Sequence, residues 1–437
     1  MSFILYGLVI LALAFLGAPL FSIIGVIGLV AFTSADIDSS AIIVEMYRLA
    51  SAPTLIAIPL FTFAGYMLAE SRTPQRLVAL AQACFGWVRG GLAVVALVSC
   101  AIFTAFTGAS GVTIIALGGL LYPILIQEKY SEKFSLGLLT TSGSLGLLFP
   151  PSLPLILFSM VASNARTIGG TTPDATIDKL FVAGILLGLL LVVVLSLYSI
   201  RQGRRANVPK LPFTWTNVWE ALKDAAWEIP LPFLIIGGIY VGWFTATEAA
   251  AVTAFYVLIV EVFIYKDLKL FSDIPRVMQE SMVLVGAILV ILGCAMGLTN
   301  YLIDAEVPMK LFSLIQQFIQ SKAVFLILLN IFLLIVGMMM DIFSAIIVVV
   351  PLIIPIATAY EVNPVHLGII FLTNLEIGYL TPPVGLNLFI SSFRFEKSIS
   401  TVVRAVLPYI GILLVALAII TYVPGLSLWM VDLFQIK

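Results

Sequence analysis

The chain has 437 residues, 61% hydrophobic and only 10% charged, with a formal net charge of -1. A soluble domain carries about 25% charged residues, so this composition excludes one and marks a polytopic membrane protein. The near-neutral balance excludes a nucleic-acid binder, which would show a basic stripe, and the single histidine, His366, excludes a His-cluster metal site.

A membrane-spanning helix needs about 20 mostly apolar residues. In chain order the first candidate is 3–32, hinged near Gly17-Ala18-Pro19. It has no basic n-region and no small-residue cleavage site, so it reads as a retained span and not a signal peptide. Stretches 53–69, 91–127, 135–162 and 180–200 follow, then a polar gap, 201–228. The gap holds Arg201, Arg204, Arg205, Lys210 and Lys223, and basic loops stay in the cytoplasm. Lys266 and Lys269 follow on the same side, and the loop 163–178, with Arg166 as its one arginine, falls outside. Trp215, Trp219 and Trp227 fit an interfacial helix anchored by its rings, or equally a loop with scattered aromatics. The second half offers 229–265 (a pair hinged near Thr245-Ala246-Thr247), 282–303, 323–359, 367–393 and 403–433. Several of these are too long for one crossing and must be pairs or re-entrant hairpins, giving roughly eleven to thirteen crossings or half-crossings. Cys84, Cys100 and Cys294 lie in or beside apolar stretches without metal spacing, as small buried hydrophobes do.

The stretch TSGSLGLLFPPSLPLILF, which opens at Thr141, interrupts an apolar segment with Pro150-Pro151, and TNLEIGYLTPPVGLNLFI does the same with Pro382-Pro383. The two pairs stand 232 residues apart, as do Gly146 and Gly378, Thr141 and Thr373, and Pro123 and Pro355. Leu68, Pro74 and Leu77 match Leu302, Pro308 and Leu311 at an offset of 234. The chain therefore reads as a first repeat (1–200), a cytoplasmic basic linker (201–228) and a second repeat (229–437). The repeats are inverted if each holds an odd number of crossings. Gly/Pro-interrupted hydrophobic segments at matching positions of two halves point to the binding site of a secondary transporter.

Proline lacks an N–H and pushes the preceding residue out of helical geometry. Each break therefore frees carbonyls, here around Gly146 to Phe149, which are hard ligands for an alkali cation. The half-helix that begins after the break presents N–H groups and a positive dipole end to a carboxylate. Ser152 and Asn387 sit just past the breaks, placed to hydrogen-bond a substrate. Two segments carry patches that can turn back in the membrane: FTAFTGASGVT, with Thr104, Thr107, Gly108, Ser110 and Gly111, and GMMMDIFSA, with Gly337, Asp341 and Ser344. Such tips can complete a cation site; packing of helices through small residues is the plain alternative. Intramembrane acids are costly and usually functional. Asp341 ligates or tunes a cation, and Glu376 does that, meets substrate or anchors the fold. Glu248, in Thr-Ala-Thr-Glu order, caps a helix. Arg72, Arg76, Arg89 and Arg166 lie near segment ends and snorkel.

At these residues the sequence resembles the large membrane subunit of a tripartite ATP-independent periplasmic (TRAP) transporter over nearly its whole length. The resemblance rests on Gly146-Leu-Leu-Phe-Pro-Pro-Ser152, Glu376-Ile-Gly-Tyr-Leu-Thr-Pro-Pro-Val-Gly-Leu-Asn387, the Gly108-Ala-Ser110 tip, Thr247-Glu248-Ala-Ala-Ala, and the C-terminal Val423-Pro-Gly-Leu-Ser-Leu-Trp429. Ala246 stands where the family usually has proline, which touches a hinge and not the site. The resemblance implies an all-α fold of two inverted repeats with re-entrant hairpins and broken helices, split into a scaffold and a sliding, elevator-type transport domain. It implies sodium as coupling ion and no other cofactor, held by Gly146, Phe149 and Pro151 with the first tip and by Gly378, Thr381 and Val384 with the second. It also implies a small four-helix membrane subunit and a periplasmic binding protein as partners, an organic-acid substrate, and the bacterial inner membrane as location. A stand-alone cation-coupled carboxylate transporter is the alternative, and proton coupling through Asp341 or Glu376 stays open. An intramembrane enzyme is disfavoured: Asp341 has no aspartate partner, and His366 is a lone histidine.

Overall fold

The computed structural model describes residues 18–434 apart from 36, 39, 41, 42, 45, 48–50, 89, 166–171, 207 and 209–211. The expectations for 3–17, including Gly17 of the first hinge, and for Arg89, Arg166 and Lys210 lie outside the described residues. Every regular element among the described residues is helical. That is what a bilayer demands, because a helix satisfies its own backbone where no water can.

The first half runs α1 (Leu20–Ser34), α2 (Ala57–Glu70), α3 (Thr73–Phe85), α4 (Gly91–Thr107), α5 (Ser110–Gln127), α6 (Glu132–Ser142, prolonged by a 3-10 turn at Leu145–Leu148), α7 (Leu153–Asn164) and α8 (Ile177–Arg205). After it come α9 (Trp215–Asp224), α10 (Pro230–Tyr240) and α11 (Ala246–Ile264). The remainder is α12 (Asp273–Asp304), α13 (Val307–Phe318), α14 (Lys322–Met339), α15 (Ile342–Ala359), α16 (Pro364–Gly378), α17 (Leu386–Arg394), α18 (Ile399–Tyr422) and α19 (Gly425–Leu433). Among the described residues, 7 helices are long and apolar enough to cross a membrane, or up to 9 if each of two bent pairs is one span. Those pairs are α2–α3, bent by 73°, and α6–α7, bent by 45°.

Local chemistry sets several helix starts. Ser131 Oγ accepts the Phe134 N–H at the head of α6. Asn363 Oδ1 accepts the Val365 N–H at 2.8 Å ahead of α16, whose first residue is Pro364. Thr245 and Glu248 form a reciprocal capping box on α11, as their order indicated. The stretch 403–433 is two helices and not one, because Pro424 cannot continue α18 and Val423 leaves helical geometry (φ -120°, ψ 74°). The polar gap contains a true helix: α9 buries Val218 and Ala221 and exposes Trp215 and Trp219. Helix α13 has no counterpart among the expected spans, since Lys310, Gln316 and Gln317 make it too polar to read as one.

The halves pack crosswise, as two exchanged copies of one plan do. Helix α1 of the first half packs on α12 of the second, and α11 packs on α2. Limb α15, after the second tip, packs on α7, the half-helix beyond the first break; limb α5, after the first tip, packs on α17, the half-helix beyond the second. His366 is buried, its Nδ1 2.8 Å from Ser427 Oγ and its Nε2 3.2 Å from the Thr421 carbonyl, so it joins α16 to α18 and α19.

Candidate functional site: two broken helices and two tips

Both tips are two-residue breaks at matching repeat positions. Gly108-Ala109 separates α4 from α5, and Met340-Asp341 separates α14 from α15. Gly108 takes φ 65°, a conformation that suits glycine, and donates its N–H to the Thr104 carbonyl at 2.8 Å. Asp341 is the N-cap of α15: its Oδ1 accepts the Phe343 and Ser344 N–H groups at 3.0 Å each, and its Oδ2 accepts the Ser344 hydroxyl. Its place is on the tip itself, with its side chain exposed.

Each tip lies against the break of its own half. Thr104 Oγ1 sits 2.9 Å from the Gly143 carbonyl and 2.7 Å from Thr113 Oγ1, so one buried hydroxyl joins α4, α5 and the end of α6. A Cβ on Gly146 would stand 2.2 Å from the Ala101 carbonyl oxygen and 2.5 Å from Ala105 N. In the second half a Cβ on Gly378 would stand 2.5 Å from the Gly337 carbonyl carbon. Ala105 and Gly337 are themselves 232 apart, so the same backbone approach occurs twice. The Gly146 carbonyl accepts the Phe149 N–H at 3.0 Å; the Gly378 carbonyl accepts the Thr381 N–H at 2.9 Å. Tip two is also tied by the Ile342 N–H to Tyr379 Oη at 2.5 Å and by the Gly385 N–H to the Met338 carbonyl at 3.1 Å. Thr107 Oγ1 returns to the Phe103 carbonyl within its own helix.

The breaks differ in exposure. Pro150, Pro151 and Ser152 are buried, whereas Pro382, Pro383 and Val384 are exposed and Thr381 is half-buried. Both Pro-Pro bonds are cis. At the first break Ser152 is the N-cap of α7, and its hydroxyl donates to the Leu147 carbonyl at 2.5 Å. Helix α8 closes over this break: a Cβ on Gly184 would meet the Leu148 carbonyl at 2.1 Å, and one on Gly188 would meet the Phe149 ring at 2.7 Å. Of the carbonyls expected to be freed, those of Gly146 and Leu147 each hold one intrachain hydrogen bond. A carbonyl has two lone pairs, so one hydrogen bond saturates neither. At the second break Thr381 Oγ1 donates to the Ile377 carbonyl at 2.9 Å.

One side chain joins the two units. Asn387, second residue of α17, accepts the Ser110 hydroxyl at 2.8 Å on Oδ1 and reaches the Thr140 carbonyl from Nδ2 at 3.4 Å. Ser110, read as a cation residue, and Asn387, read as a substrate residue, are thus direct partners across the repeats. Glu376 is fully buried in α16, and neither carboxyl oxygen has a hydrogen-bond partner. Sequence reasoning did not reach Thr113, Thr140, Tyr379 or the Gly184/Gly188 pair. The four-residue glycine spacing on an apolar helix was the readable signal for the last of these.

Comparison with known proteins bears on this arrangement. Residues 7–426 match the family model described as "Tripartite ATP-independent periplasmic transporter, DctM component". The chain is 35% identical, over 92% of its own length and 92% of the relative's, to the C4-dicarboxylate TRAP transporter large permease protein DctM of Pseudomonas aeruginosa. It is 33% identical over 86% of its length, and 58% of the relative's, to the isethionate TRAP transporter permease protein DctMQ of Oleidesulfovibrio alaskensis. Its fold is similar to that of the Alcanivorax borkumensis YdaH transporter, with a TM-score of 0.62 at 14% identity, covering 90% of this chain and 88% of that one. With two broken helices meeting two tips inside a multi-pass helical fold, and with this match over nearly its full length, the chain belongs to the DctM component family of tripartite ATP-independent periplasmic transporters, as a membrane transport component and not an enzyme.

Proposed function

We propose that this protein is the large permease subunit of a sodium-coupled, binding-protein-dependent importer of a small organic anion in the bacterial inner membrane. The observation that carries the reading is the pair of tip–break units bridged by Ser110 and Asn387. Each unit gathers backbone carbonyls and hydroxyls (Thr104 and Ser110 at one, Thr381 at the other) and few charged groups. That all-oxygen set fits a hard monovalent cation. Gly146, Phe149 and Pro151 with Thr104, Thr107 and Ser110 would hold one sodium ion. Gly378, Thr381 and Val384 with Gly337 and the Asp341 tip would hold the other. The substrate anion would lie between the breaks near Ser152 and Asn387, where α7 and α17 begin and their N-terminal N–H groups favour negative charge. Glu376 supports that region from within α16.

In this reading the two tips and two broken helices travel together as the cargo-bearing body, and the remaining helices form the scaffold against which it slides. The first repeat, 1–200, and the second, 229–437, are joined by the linker 201–228 on the cytoplasmic face. Named relatives that carry C4-dicarboxylates and isethionate support a small organic anion as cargo. A small membrane subunit and a periplasmic binding protein are the partners in this reading. The test is uptake by proteoliposomes that contain the protein with both partners. Pro150→Ala combined with Pro151→Ala should abolish uptake while the protein remains in the membrane, because a continuous helix withdraws the freed backbone groups. Unchanged uptake by that variant sinks the site, and full uptake without a binding protein replaces the reading with a stand-alone transporter.

A further inference from the structure

Away from both breaks, the start of the second half meets the first at a buried ionic junction. Arg76 of α3, expected to snorkel, is instead only 13% exposed and held by buried acids; its Nη1 lies 2.8 Å from Glu228 Oε1 and 3.9 Å from Glu261 Oε2, and its Nη2 2.5 Å from Asp267 Oδ2. Its guanidinium carbon is 3.6 Å from the centre of the Tyr265 ring. Three carboxyl groups, whose side chains are 2%, 0% and 8% exposed, therefore face one guanidinium. Fully ionised, they would leave two uncompensated negative charges in the interior, which burial makes costly. The other charges on the packed elements do not compensate. Glu70 of α2 pairs with Arg276 of α12, and Asp273 accepts the Lys269 backbone N–H. Lys266, Lys269 and Asp224 are exposed, Lys223 lies over the Trp219 ring, and Arg72 gives Asp267 its backbone N–H.

Hydrogen counting points the same way. Tyr265 has one hydroxyl hydrogen, donated to the Asp224 carbonyl at 2.6 Å. Burial, raising its pKa to about 12, keeps that hydrogen in place. Its oxygen also lies 3.2 Å from Glu228 Oε2 and accepts the Trp227 N–H at 3.3 Å, so a single hydroxyl hydrogen faces two acceptors. Thr73 Oγ1, also with one hydrogen, is 3.2 Å from both Glu228 Oε1 and Glu261 Oε1, and can donate to only one. Glu261 Oε2 has no hydrogen-bond partner.

We propose that this junction is a proton-binding site: it holds one proton at neutral pH, shared between Glu228 and Glu261, and its release to solvent in alkaline medium loosens the join between α3, the residues that precede α10, and α11. Burial also pushes the Glu228 carboxyl above the ordinary carboxylate range despite Arg76. An acid whose folded-state pKa is raised contributes stability at low pH that is lost as pH rises through that value.

The experiment is denaturant unfolding of the purified full-length protein from about pH 5.5 to about pH 9, above the ordinary glutamate range. The native protein should lose stability with rising pH, its unfolding constant growing by up to about tenfold per pH unit. Glu261→Gln and Glu228→Gln, which carry their hydrogens as amides, should each lose about one proton's worth of that slope. Infrared difference spectra at neutral pH give a second readout that needs no unfolding. Native minus variant should contain the C=O stretch of a protonated carboxylic acid for at least one of the two substitutions. The native slope retained in both variants, or no such band in either difference, overturns the proposal.

Discussion

The sharpest structural test of the tip–break unit is Gly146→Ala. A methyl group there would meet Ala101 O at 2.2 Å, Ala105 N at 2.5 Å and Thr104 Cβ at 2.5 Å, whereas ordinary contact begins at 3.4 Å. The first two are backbone atoms of α4, so the neighbour cannot swing aside. The 3-10 turn and α4 must separate by about 1 Å, and such overpacking costs about 1–3 kcal/mol. The same movement stretches the 2.9 Å bond from Thr104 to the Gly143 carbonyl beyond hydrogen-bonding range, adding about 0.5–1.5 kcal/mol. If even about 1.4 kcal/mol of this falls on the binding-competent geometry, transport drops about tenfold. The assay is initial-rate uptake in proteoliposomes, with thermal stability measured on the same preparation. Gly411→Ala is the control, since a Cβ there meets nothing within 4 Å. Native uptake with a native melting temperature in Gly146→Ala would show that the 3-10 turn and α4 do not need this close approach.

Further substitutions separate the roles of individual groups. Asn387→Leu strips the Ser110 hydroxyl and the Thr140 carbonyl of a buried partner and should cost about 1–3 kcal/mol. In a double-mutant cycle with Ser110→Ala the two losses should be clearly less than additive. Asp341→Ala should cost about 0.5–2 kcal/mol as a lost cap, while Asp341→Asn retains it. Asn at near-native uptake would assign Asp341 to capping, and Asn as inactive as Ala would assign it to the cation. Gly188→Leu should drive a side chain into the Phe149 ring and impair the first break, measured by uptake and by expression of folded protein, whereas Gly286→Leu should do neither.

The repeat was legible because it lies in local chemistry. Two Pro-Pro pairs at one offset announce two broken helices, and a glycine four residues before each pair confirms the register, though the close backbone approach at those glycines emerges only in the fold. The caps at Thr245-Glu248 were readable for the same reason. What was hidden depends on tertiary partners. Nothing in Pro150-Pro151 or Pro382-Pro383 foretells that the first break is sealed under α8 and the second exposed, since Gly184 and Gly188 lie outside either motif. The bond from Ser110 to Asn387 joins residues 277 apart, and no spacing rule reaches that far. Helix α13 went unseen because its polar residues break the apolar run by which spans are recognised. Asp341, singled out as an intramembrane acid, stands on a tip between two candidate spans and caps α15, a use that its short side chain and its place before Ile342 permit.

The central claim is that the two tip–break units couple a monovalent cation to substrate entry. Its most direct test is radiolabelled substrate uptake by proteoliposomes that contain the protein and its partners, driven by an inward sodium gradient or by an equal gradient of potassium. The account predicts accumulation with sodium only, lost in the Pro150→Ala, Pro151→Ala protein. Equal accumulation with potassium, or with a proton gradient in the absence of sodium, would contradict it.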